Sequence, residues 1–138
     1  MKWWLVVGIV VAGVLCGSEA GAEGAIFSGY KCNIKHSLQL GKDGSAQQHE
    51  LADAYRNKEF VIDRTSGRML GGTTAATWKH EVWDRGSDKQ SFKAVYTSSA
   101  GFLHVQLLQI REFENGVVKP FLLVDGTEIF MGTCTHLS

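Results

Sequence analysis

The chain has 138 residues with 14 basic and 14 acidic side chains, so its formal net charge is zero at neutral pH. Nucleic-acid binders and proteins that settle on anionic membranes carry a basic excess or a basic run, and neither is present; no nucleic-acid partner is expected. Compartment is written instead in the amino terminus and in three cysteines, Cys16, Cys32 and Cys134.

Met1 and Lys2 precede an uncharged apolar run from Trp3 to Leu15. As a helix that run reaches about 20 Å, short of the ~30 Å hydrocarbon core, so no membrane span is expected. Small residues follow at the positions a signal peptidase inspects, which predicts a cleavable signal peptide over residues 1–22 with cleavage after Ala20 or Ala22. Cys16 is expected to leave with it, because lipid attachment generally wants a small residue before the cysteine and Leu15 stands there; the alternative is a protein tethered by acyl chains on Cys16. Residues 23–138 are then one exported β domain, periplasmic or secreted, still with zero net charge because Lys2 and Glu19 are both lost. In an oxidising compartment the remaining pair, Cys32 and Cys134, is predicted to form a disulfide; the alternative is two buried thiols, and the wide spacing does not suit a metal site.

Along the mature chain, Tyr30, Cys32, Ile34, His36, Leu38 and Leu40 alternate with polar residues, which predicts a strand with one wet face. Lys42-Asp43-Gly44-Ser45 ends it as a turn. Leu51, Ala54 and Tyr55 can form the stripe of a short helix within residues 46–58, or that stretch can be an irregular crossing. Residues 60–62 and 68–70 read as a hairpin around Asp63 and Gly67. Trp78 to Trp83 is a predicted strand that turns through residues 84–88 into residues 92–97. A long strand is expected from Phe102 to Glu114, then an Asn115-Gly116 hairpin, a strand from Val117 to Val124 made edge-like or bulged by Pro120, and a last strand from Thr127 to Cys134. The fold class is therefore all-β with room for one short helix: an antiparallel meander forming a small barrel or a strongly curved sheet. A bridge between first and last strands fits a meander that wraps round on itself. An open sheet packed on residues 46–58 is the alternative.

Catalytic signatures are lacking. His36, His49, His80, His104 and His136 form no close metal-ligand pair, so no metal and no cofactor are expected. No Gly-x-Ser-x-Gly elbow and no phosphate-cradling glycine loop occurs. Asp63, Glu81, Asp84 and Glu128 sit where carboxylates usually bond their own backbone or face water. With both cysteines committed to a bridge, no enzyme is expected. Phe92, Tyr96, Phe102, Phe113, Phe121 and Phe130, with Trp78 and Trp83, suffice to fill a small core. Trp78 and Trp83 should face opposite sides of their strand, so at least one is a candidate contact surface.

Tyr30-x-Cys32 opening the first strand, with a cysteine in the last, resembles the small periplasmic barrels that inhibit c-type lysozymes; no site residue is carried over from that resemblance. The expected function is a non-catalytic protein-binding or structural module with an unknown protein partner. The alternatives are a small barrel carrying an apolar ligand, and an inhibitor of a secreted hydrolase.

Overall fold

The computed structural model describes residues 28–73, 78–98 and 100–137; the expected signal peptide, with Cys16 and both cleavage positions, lies outside the described residues. In chain order the elements are β1 (Gly29–Leu40), β2 (Ala46–Gln48), the one-turn helix α1 (Ala52–Tyr55), β3 (Glu59–Asp63), β4 (Met69–Gly71), β5 (Lys79–Arg85), β6 (Phe92–Ser98), β7 (His104–Ile110), β8 (Val118–Asp125) and β9 (Glu128–Leu137). They form one open, strongly curled antiparallel sheet in the order β4-β3-β1-β9-β8-β7-β6-β5, with β2 added to β1. This is the expected curved all-β meander with one short helix.

Period-two alternation turns one face of each strand inward, where Tyr30, Phe60, Phe92, Tyr96 and Phe130 are fully or almost fully buried with Ile34, Ile62, Leu108, Ile110 and Leu123 around them. Phe60 meets Phe121 edge-on with ring centroids 5.2 Å apart, and Tyr30 meets Phe92 at 5.3 Å, so the aromatic rings fill the hollow of the curl. Of the aromatics expected inside, Phe102 and Phe113 are instead exposed, because each lies in a turn beyond the end of β7. Tyr30 and Phe60 take up core volume in their place.

Cys32 is bonded to Cys134, and the two stand directly opposite each other in the β1–β9 ladder. The bridge does not close the sheet at its ends. β1 and β9 are its centre, paired from Gly29↔Leu137 to Gln39↔Glu128, while β4 and β5 stand at the two ends of the strand order. Those ends are drawn together by side chains of the β3–β4 turn. Arg64 donates from Nε to the Arg85 carbonyl (2.7 Å) and from Nη2 to the Gly86 carbonyl (2.8 Å). The buried Tyr96 hydroxyl donates to the Gly67 carbonyl at 2.8 Å. Gly67 has a φ of 78°, and a Cβ there would lie 2.8 Å from Val82, so the turn lies directly on β5.

Several boundaries differ from expectation for physical reasons. The alternation of β1 breaks at a bulge between Ile34 and His36, after which Ser37 is buried and His36 is exposed. Residues 46–48 extend the sheet as β2, and α1 buries Ala52 while Leu51 stays in water. The strand expected through Glu114 ends at Ile110, and residues 111–117 form a long connection. Pro120 lies inside β8, which is flanked on both sides, but it falls just beyond the last β7 ladder pair, Ile110↔Phe121, where its carbonyl still accepts from Arg111 N–H and no further ladder bond needs its missing N–H.

Candidate functional site

Trp78 and Trp83 end up at opposite ends of β5 and do not form one surface. Trp78 is half-buried, packed on the core and against His104, with ring centroids 4.8 Å apart. Trp83 occupies a second bulge, between Val82 and Asp84, and is 63% exposed. The bulge explains the exposure: an extra residue in an edge strand has no opposite partner to lie against. At the Trp78 end, Phe102 and Leu103 project from the β6–β7 turn with 71% and 73% of their surface in water.

Three histidines are tied to carboxylates in three separate places. His49 accepts the Leu51 N–H at Nδ1 (2.9 Å), so its proton sits on Nε2 and is directed at Glu128, 2.9 Å away. His104 Nε2 bonds Asp125, whose other oxygen accepts from Gln106 at 2.7 Å. His136 Nε2 reaches the buried Glu112 at 2.6 Å, with Arg64 4.0 Å from the same oxygen. Burial raises the pKa of the Tyr30 hydroxyl well above its ordinary value, and the neighbouring Glu112 carboxylate adds to the effect against the opposing Arg64. Burial likewise pushes the Tyr96 hydroxyl up. Among the described residues no group of three His, Cys, Asp or Glu side chains could hold a metal ion, and no helix is long and apolar enough to cross a membrane.

An apolar depression lies on the outer face of the sheet, where three irregularities coincide. The β1 bulge presents Lys35 and His36 side by side, both exposed. In the middle, β9 carries Gly132, where a Cβ would come within 2.0 Å of the Asn33 carbonyl; the absence of a side chain lets the bulge lie close. On the far side the β7–β8 ladder ends at Ile110↔Phe121, with Arg111 N–H making one more bond to the Pro120 carbonyl at 2.8 Å. The result is an open cleft of about 420 Å³ lined by the apolar side chains of Pro120, Leu122 and Met131 and by the basic Lys35, His36 and Arg111. A second cleft, about 320 Å³, shares Lys35 and His36 and continues toward Ala52 and Arg56 of the α1 region. Among the described residues no carboxylate lines either one.

Compared with known proteins, the chain matches no family model, no curated protein and no solved structure. The cleft residues were not among the candidates read from sequence. Pro120 inside a strand was the one visible signal of a break there; a bulge has no signature in residue types, and the approach of Arg111 to Lys35 is set by strand order.

Proposed function

We propose that this protein is a non-catalytic binding module of an oxidising, exported compartment, and that it engages a protein partner through its outer surface. The observation that carries this reading is the filled interior. A carrier of an apolar ligand needs a dry internal space of several hundred Å³, whereas here Tyr30, Phe60, Phe92, Tyr96 and Phe130 occupy the hollow with at most 1% of their surface exposed. The apolar surface left over is external: Trp83, Phe102 and Leu103, together with the apolar lining of the outer cleft. The Cys32–Cys134 bond supports the oxidising compartment.

The test is cross-linking of the protein in its own exported fraction, purification of whatever protein is captured, and calorimetric titration of the two pure components. A saturable 1:1 heat supports the reading. A tightly held small apolar molecule found by native mass spectrometry, with no protein captured, would replace it with the carrier.

A further inference from the structure

We infer that the two adjoining outer clefts form one docking track for an extended segment of a partner protein that carries an acidic residue beside a bulky apolar one. The inference rests on the partner-binding reading and specifies the chemistry of the partner.

Charge and shape both point this way. The first cleft has an apolar lining formed by a transverse row in which Leu122 stands opposite Met131 and Met131 opposite His36. Pro120 adds to that lining, and the cleft has room for one or two large side chains. Basic side chains line the clefts as well. Arg111 is held by Glu114 at 2.5 Å, and Arg56 at the far end of the second cleft by Asp53 at 3.2 Å, but Lys35 between them bonds the neutral Asn57 Oδ1 at 3.4 Å and has no carboxylate partner among the described residues. An incoming carboxylate would therefore meet an uncompensated cation in the middle of the track, flanked by two partly compensated ones, beside apolar surface that lowers the local dielectric.

Neither cleft is enclosed. A free small ligand seated there would keep much of its surface in water, while a side chain carried on a polypeptide brings the rest of its cover with it. The two clefts meet at Lys35 and His36, so an extended backbone can place alternate side chains in each.

The experiment is selection of a displayed library of random twelve-residue peptides on the oxidised protein, followed by titration of the enriched peptides. The expected result is enrichment of sequences with Asp or Glu next to Leu, Phe or Trp. Their binding should fall at least about tenfold in Lys35→Glu, survive in Lys35→Arg, and be partly restored to Lys35→Glu by an Asp→Lys peptide. Lys35 is exposed, so these variants keep the fold, which circular dichroism checks. Absence of enrichment, or enriched peptides indifferent to Lys35→Glu, overturns the inference. So does an NMR titration in which dodecanoate shifts the Leu122 and Met131 signals and the peptides do not. If the purified natural partner still binds Lys35→Glu at full strength but loses Trp83→Ser, the docking track is wrong while the partner-binding reading stands.

Discussion

Asp63 closes the β3–β4 turn with a single oxygen: its Oδ1 accepts the Ser66 N–H at 2.6 Å, the Ser66 hydroxyl at 2.9 Å and the Thr65 N–H at 3.0 Å. These bonds favour the charged form, the Ser66 amide most of all, and hold the carboxyl below its ordinary pKa. A depressed folded-state value means that this stability is fully present above the unfolded value of about 3.9 and is lost as pH falls through the folded one. Asp63→Asn should lower stability at pH 7 by up to about 1 kcal/mol, a small figure because the group lies near water. It should also flatten the acid-side fall, so that urea midpoints at pH 7 and pH 3 differ less in the variant than in the parent. Equal differences in both proteins would show that the turn does not feel this charge. Gly132 matters at the same scale for the opposite reason: its role is to have no side chain where Asn33 comes close.

At the level of elements, the weak place is the seam between β4 and β5. Both stand at ends of the strand order, and free edges invite pairing with other chains. β4 is three residues long, β5 is bulged at Trp83, and Arg64 caps the carbonyls of Arg85 and Gly86 at its end. Arg64→Met removes two charge-assisted hydrogen bonds and a guanidinium 4.0 Å from Glu112, for an expected loss of about 2 kcal/mol. Amide exchange should quicken in β5 and the β3–β4 turn while β1 and β9 stay protected. Uniform quickening across the sheet would mean that the seam is not a separate unit.

Across the whole molecule, β1 and β9 form the spine. Tyr30, Cys32, Ile34, Phe130 and Cys134 put the inner side of that pair at the middle of the core, and the disulfide lies inside the same pair. The bridge spans a sequence separation of 102, so removing it frees a long loop in the unfolded chain. Cys32→Ala combined with Cys134→Ala should cost about 2–5 kcal/mol. The first strand should nonetheless stay in place in the native state, because β9 holds it on one side and β3 and β2 on the other. A lowered unfolding midpoint with unchanged β1 amide protection in native-state exchange is the expected pair of results. Loss of β1 protection alone would make the bridge a staple on a loose terminal strand.

Residue pattern by itself was enough for the fold class, the Asp63 and Gly67 hairpin and the Cys32–Cys134 bond, because each depends on local alternation, on a residue that tolerates one backbone conformation, or on a count of two cysteines; the two-residue hairpin expected at Asn115-Gly116 is instead part of the connection over residues 111–117. Strand order escaped it. Whether the last strand meets the first at a closing seam or in the middle of an open sheet depends on which hairpin runs curl furthest, a property of accumulated twist that no single segment carries. The bulges at Lys35 and Trp83 escaped it too, since an extra residue in a ladder is defined by the partner strand's register. For the same reason Trp83 could be singled out as a surface residue from its place opposite Trp78, whereas the outer cleft could not be found: Lys35, Arg111, Leu122 and Met131 come from four strands or their ends, and tertiary pairing alone makes them neighbours.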